Sequence, residues 1–210
     1  MVDRDAWTPP EAPERASRRR VPGAMGGSLL LEQPAHAEQK ARLVEFVGRE
    51  GPLAVEVGFD HGNVLLSQAR AHPAWRWLGV EIRRRRVAAV QPHCPDNCLA
   101  ERLDARTLFS SRLLDGRVDR VDVWFATPPL DGRHLLWTPG FVADLARALR
   151  PGGVVNTATD VPALADLIDA CFAGWSPAGL PPATPEPSRR ERVCRRDGLS
   201  VWRRAWTPRG

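Results

Sequence analysis

Leu53-Ala54-Val55-Glu56-Val57-Gly58-Phe59-Asp60-His61-Gly62 is the stretch on which the fold turns. A short apolar run ends at Gly58, and a helical pattern runs from Val64 to Ala71, where His72-Pro73 closes it. The segment therefore reads as a buried strand that turns through a glycine-rich loop into a helix. Gly58 and Gly62 permit positive φ and a close approach of backbone to ligand. Plain strand-to-helix turns carry glycines too, so the loop suggests a site without naming its ligand.

The same alternation extends on both sides. Ala35 to Arg49 places Ala41, Val44 and Val47 at helical spacing. Downstream, Trp77 to Glu81 is a second strand, Arg83 to Val90 a helix broken by Pro92 and Pro95, and Cys98 to Leu103 a third strand ending at Asp104. Val121 to Phe125 is a fourth strand, Phe141 to Leu149 a helix stopped by Pro151-Gly152, Gly153 to Thr157 a fifth strand, and Ala163 to Phe172 another helix. Strands alternating with helices about every 25 residues predict βαβ units in a parallel sheet. After the proline-rich link Ser176 to Pro187, Arg192 to Arg195 and Leu199 to Trp206 flank Asp197-Gly198, a step that predicts a hairpin. The expected class is α/β, a mostly parallel doubly wound sheet ending in an antiparallel hairpin. Residues 1–30 are expected to form a disordered, basic and proline-rich arm, and residues 31–210 a single domain.

Composition bounds the answer. With 210 residues, 43% apolar and 26% charged, the chain is long enough for one real core and too short for a multidomain machine. No stretch approaches the roughly 20 apolar residues of a membrane span, and the first 25 residues lack an apolar signal region. Cys94, Cys98, Cys171 and Cys194 make no disulfide framework in a chain of this length, so a reducing, cytoplasmic home is expected. The basic residues are 29 arginines and the single Lys40. A GC-rich genome explains that bias, and so does phosphate recognition by the guanidinium fork. Position separates the two readings. Residues 187–210 carry net +6 while residues 1–186 carry −1, an asymmetry that suits a polyanion grasped at one edge.

Three acids stand at successive predicted strand ends. Glu56 lies in the first strand, Glu81 follows it by 25 residues at the end of the second, and Asp104-Ala105 closes the third. A carboxylate at Glu81 is placed to accept hydrogen bonds from ribose hydroxyls. No extended pyrophosphate cradle accompanies it, so a nucleoside without phosphates, such as S-adenosylmethionine, fits better than a dinucleotide.

With those residues in view, Glu56-Val57-Gly58-Phe59, Gly79-Val80-Glu81, Asn97 to Asp104-Ala105, Thr159-Asp160 and Ser188-Arg189-Arg190-Glu191 followed by Gly198 to Trp202 resemble the bacterial tRNA (guanine-N7)-methyltransferase family. The resemblance runs from about Leu31 to Trp206, with the motifs in family order. It implies a class I, Rossmann-like methyltransferase fold, S-adenosylmethionine as cofactor, and tRNA as partner, held by the basic C-terminal hairpin. It also implies that Glu56, Gly58, Asp60, Gly62, Glu81, Asp104 and Ala105 hold the methyl donor, and that Asp160 and Ser188, Arg189, Arg190 and Glu191 hold the target guanine. Carboxylates suit that role because the Watson–Crick edge of guanine offers N1–H and N2–H donors.

The loop after the fourth strand departs from the family pattern. Thr127 stands where the family has its active-site aspartate, and Asp131 where a substrate-contacting lysine is expected; His134 still matches. Asp60 takes the position of a middle glycine, tolerable only with negative φ or in the left-handed region. These changes leave two alternatives open: a catalytically impaired RNA-binding protein on the same fold, and a methyltransferase acting on another substrate. Oligomeric state stays open between monomer and dimer. His93, Cys94 and Cys98 lack an evident fourth ligand for zinc, so no metal is expected. Ser67, Ser110 and Ser111 show no nucleophile-elbow pattern. Arg83 to Arg86 reads as a solvated helix surface with room for a phosphate contact, and Trp137 as a ring over the site that stacks on a base or plugs the pocket.

Overall fold

A computed structural model describes residues 6–10, 36–128 and 135–209. The first half of the chain alternates regularly: α1 (Ala37–Gly48), β1 (Leu53–Val57), α2 (Asn63–Ala71), β2 (Arg76–Glu81), α3 (Arg84–Val90), β3 (Cys98–Arg102) and α4 (Ala105–Ser110). The second half continues with β4 (Val118–Trp124), α5 (Pro139–Ala148), β5 (Leu149–Thr159), α6 (Pro162–Cys171), β6 (Ser176–Pro177), α7 (Arg189–Asp197) and β7 (Trp202–Thr207). The seven strands form one sheet in the order β3-β2-β1-β4-β5-β7-β6. β1 to β5 are parallel, and β7 runs antiparallel to β5 and to the two-residue β6.

Every residue of β1 and β2 is buried, as expected of central parallel strands covered on both faces. Leu53, Val55 and Val57 point into the main core with Leu43, Phe46 and Val47 of α1. Ala54 points the other way, into a second cluster with Leu65 and Ala69 of α2 and Val87 and Val90 of α3. The two-residue period of a strand thus divides β1 between two helical layers. Gly79 is required where α2 crosses β2, because a Cβ there would lie 2.4 Å from Leu65 and 2.7 Å from Phe59.

The expected doubly wound class holds, with two local corrections. Asp197-Gly198 does not turn a hairpin. Ser188 caps α7 by accepting from the Glu191 N–H at 3.1 Å, and Gly198 closes the helix at φ 64°, its N–H and that of Leu199 donating to the Cys194 carbonyl. Glycine with positive φ serves a helix C-terminus as readily as a hairpin, and the Ser188-x-x-Glu191 spacing is a helix-start signal. The antiparallel ending is made by β7 alone. The second correction concerns Trp7, within the arm expected to be disordered, of which residues 1–5 and 11–30 lie outside the described residues. Its ring is 6% exposed and belongs to the main core. One ring of that size buries enough apolar surface to order the few residues around it.

Candidate active site

The carboxyl ends of β1 to β4 open into one cavity of about 770 Å³. It lies where the strand order reverses from β1 to β4, the position at which open α/β sheets bind ligands. The cavity gathers Glu56, Gly58, Asp60, Glu81, Asp104, Ala105, Thr127, Ser188, Arg189 and Arg190. Gly62, Asp160 and Glu191 do not line it, and Asp131 and His134 lie outside the described residues.

On the side formed by β1 to β3, backbone geometry and burial set the chemistry. Gly58 has φ 74°, and Asp60 accepts the left-handed region at φ 48°. Gly62 is structural: at φ 74° it caps α2, and a Cβ there would meet Val90 at 2.8 Å. Glu56 shares the inward face with its register partner Asp122 on β4. Desolvation, with the Asp122 charge added, raises its pKa well above the usual carboxylate range, and Arg120 opposes this only in part. Its Oε2 is buried with no hydrogen-bond partner among the described residues. Asp122 accepts from Arg120 Nε and Asn156 Nδ2, each at 2.8 Å, and burial raises its pKa despite them.

Glu81 is held differently. Burial pushes its carboxyl up, but hydrogen bonds and charge from Arg83 outweigh this, leaving its pKa below the ordinary value. Arg83 donates from its backbone N–H at 2.9 Å and from its guanidinium at 3.1 and 2.9 Å. Asp60 draws on the same guanidinium, accepting from Arg83 at 3.0 Å, and pairs with Arg86. Arg83 and Arg86 are therefore tied to the first loop, and the expected solvated arginine surface is left to Arg84 and Arg85. Asp104 caps α4 by accepting from the Arg106 N–H at 2.8 Å and pairs with the Arg106 guanidinium at 2.6 Å. Between them Ile82, 63% exposed, offers an apolar surface in the cavity wall.

On the opposite side the chain leaves β4 through Phe125, at φ 54°. That is a strained conformation for a bulky side chain, fixed by the Phe125 N–H donating to the Ala158 carbonyl at 2.7 Å. It directs Ala126, Thr127 and Pro128 along the cavity, with Thr127 exposed on its wall. Trp137 neither stacks nor plugs here. At 2% exposure it packs edge-on against Phe141 and Phe172, while Leu136 takes the wall position. Asp160, its side chain 1% exposed, binds Arg190 through Nε at 2.8 Å and through Nη2. Glu191 is bridged by Arg195 at 2.5 Å and Arg203 at 2.7 Å.

Among the described residues no three His, Cys, Asp or Glu converge as a metal site, and Cys94 and Cys98 face each other at 3.5 Å without His93. Sequence reasoning missed Asn63, Ile82, Arg106 and Phe125 as lining residues. Arg106 had a readable signal, since it follows Asp104 by two residues as Arg83 follows Glu81. Phe125 had none.

Residues 50–173 match the family model described as "Putative methyltransferase". The chain belongs to this methyltransferase family. The methyltransferase is 31% identical over 152 residues to the tRNA (guanine-N(7)-)-methyltransferase of Alkalilimnicola ehrlichii, covering 69% of this chain and 64% of that protein. It is 30% identical over 176 residues to the Xylella fastidiosa protein of the same name, covering 76% and 70%. Its fold superposes on the 16S rRNA methyltransferase KamB with a TM-score of 0.58 at 20% identity, over 85% of this chain and 94% of that one.

Proposed function

We propose that this methyltransferase transfers a methyl group from S-adenosylmethionine to N7 of a guanine in tRNA, in the cytoplasm. The observation that carries the reading is the single cavity whose one side bears Glu56, Glu81 and Asp104 and whose other side bears Thr127, Ser188, Arg189 and Arg190. The relatives named as tRNA (guanine-N(7)-)-methyltransferases support the choice of acceptor.

The donor set suits a nucleoside with an amino-acid tail. Glu81 at the end of β2 would hold ribose hydroxyls, Asp104 and the Ala105 backbone would hold an adenine edge, and Ile82 would offer its flat face an apolar contact; all four line the cavity. The orphaned Glu56 Oε2, whose carboxyl burial pushes above the usual carboxylate range, would hydrogen-bond the polar tail. When bound, S-adenosylmethionine supplies an electrophilic methyl on a sulfonium. Guanine N7 carries a lone pair and no proton, so the chain needs no general base, and Thr127 in place of an aspartate removes positioning and charge rather than a proton acceptor. The residues instead orient the purine for in-line attack, as the S–CH₃ bond breaks, the N7–CH₃ bond forms, and the positive charge passes to the purine. Orientation of this kind is worth about 7–11 kcal/mol in well-placed reactions.

Transfer of labelled methyl from S-adenosylmethionine into unfractionated bacterial tRNA, against tRNA-depleted extract, tests the proposal. Label confined to tRNA at 7-methylguanosine is expected, and label only in the depleted extract overturns it. One observation favours a second reading, a non-catalytic RNA binder: Glu81, Asp104, Asp160 and Glu191 are each bridged by arginine. Calorimetric titration that shows no binding at millimolar S-adenosylmethionine would overturn methyl transfer and favour that reading.

A further inference from the structure

The 8 arginines of residues 187–210 do not act as one basic patch. Arg190, Arg195, Arg203 and Arg204 are committed to Asp160, Glu191 and Asp169. Arg189, Arg192 and Arg196 fall three and four residues apart, so they share one face of α7. All three are exposed.

That face lines a second cavity, about 440 Å³, together with His61, Asn63 and Val193. Among the described residues no carboxylate lines it. Two acids meet the lining residues: Asp60, 3.7 Å from His61, and Asp197, paired at the surface with Arg196. An exposed pair of that kind is weak, so an incoming anion competes for Arg196. Arg192 spends one Nη1 hydrogen on the Pro187 carbonyl at 2.9 Å, leaving the rest of its fork outward. Arg189, His61 and Asn63 line both cavities, so the second continues the first past His61, whose ring meets Arg189 at 3.2 Å and Arg86 at 2.9 Å.

We infer that the Arg189–Arg192–Arg196 face of α7, with His61, is a phosphodiester site that holds the RNA backbone next to the base in the main cavity. The inference rests on the proposed acceptor being RNA. Three guanidinium forks at helical spacing over a cavity whose described lining holds no acid suit successive phosphate oxygens, and they read no sequence.

The test measures affinity for unfractionated bacterial tRNA against salt concentration for the wild type, R192Q/R196Q and R204Q. The double variant is expected to bind more weakly and to lose about 1.5–2 from the log–log salt slope, as expected for two phosphate contacts. R204Q, on the Asp169 pair, is expected to keep the wild-type slope, and the double variant to keep wild-type affinity for S-adenosylmethionine, which also reports that it is folded. An unchanged slope in R192Q/R196Q overturns the site, as does an equal loss in R204Q. Inorganic phosphate alone provides the other arm: wild-type binding at low millimolar phosphate, lost in R192Q/R196Q while the tRNA slope stays unchanged, assigns the face to a free anion and overturns the backbone assignment. Wild-type methyl transfer to tRNA separates the two claims. A reduced slope without transfer keeps the phosphate site and removes the proposed function, whereas transfer with an unreduced slope does the reverse.

Discussion

Acids on the two sides of the main cavity are neutralised by different routes. On the side of β1 to β3 the arginine follows its acid by two residues, as in Glu81–Arg83 and Asp104–Arg106. On the side of β5 and α7 each acid also has a partner from afar: Arg190 reaches back 30 residues to Asp160, and Arg203 on β7 reaches Glu191 on α7, which Arg195 bridges from the next helical turn as well. A local pair opens by rotation of one side chain and leaves the fold unchanged. A long-range pair binds α7 to the sheet, so opening it frees a helix. The first arrangement suits a surface that exchanges an arginine for a ligand, and the second a wall held in place.

The largest expected effect is on the wall. Arg190→Ala strips the arginine from Asp160, a carboxylate with almost no solvent access, and the loss of one partner of such a pair costs about 3 kcal/mol. Urea unfolding is expected to show a lower midpoint at unchanged slope. A loss below about 1 kcal/mol, the range of surface pairs, would mean that the pair does not clamp α7 and that the contrast between the two sides fails.

The same contrast explains what the sequence made legible. Strand ends are marked by composition, so Glu56, Glu81 and Asp104 were readable as a converging set from the period of the βαβ pattern alone. Arginine at a fixed short offset was equally legible in the sequence. The wall was not. Which acid Arg190 meets depends on how α7 packs across β5, and that packing was hidden by the assignment of Asp197-Gly198 to a hairpin. The path of the chain past Thr127 depends on one left-handed Phe125, a conformation that no propensity favours. Trp137 was misread for a related reason: a tryptophan in a loop is indistinguishable in sequence from a tryptophan whose loop dives into the core.

Next in size is the donor side. Glu81→Ala is expected to weaken S-adenosylmethionine binding about 10- to 100-fold, since hydrogen bonds to a charged group contribute about 1.5–3 kcal/mol. Arg83→Ala, by contrast, is expected to shift the dissociation constant by less than threefold, because it removes a partner that the ligand must displace in any case. Calorimetry on both variants checks this. Comparable losses in the two would show that Arg83 stays on Glu81 in the complex, and the local pair would then be as fixed as the distant one.

A smaller effect concerns pH. Glu56 has a raised pKa, so the native state binds its proton more readily than the unfolded chain, and stability falls as pH rises from the ordinary carboxylate value towards the native one. Glu81 has the opposite sign: its stabilisation is present above the ordinary value and is lost as pH falls through the depressed native value. Glu56→Gln is expected to raise stability at neutral pH by about 1 kcal/mol and to flatten the decline above the carboxylate range. Asp122, also raised, keeps part of that decline. Thermal melts across pH on the two proteins read the difference, and an undiminished decline would assign it to Asp122 alone.

Asp60→Gly is expected to change least. Glycine removes the cost of a side chain at φ 48°, a cost that Asp bears better than most residues. Against that relief stand the bridges to Arg83 and Arg86, formed by a side chain 36% exposed and worth about 0–1 kcal/mol together with the added freedom of the unfolded chain. The two contributions oppose each other, so stability is expected to move by no more than about 0.5 kcal/mol. Freed from Asp60, Arg83 keeps its three bonds to Glu81 and grips it alone, so donor affinity in D60G is expected to fall slightly, by less than threefold. A rise in affinity would show instead that Asp60 obstructs the loop. A stability loss above about 1 kcal/mol would place Asp60, alone among the donor-side acids, with the clamps of the opposite wall.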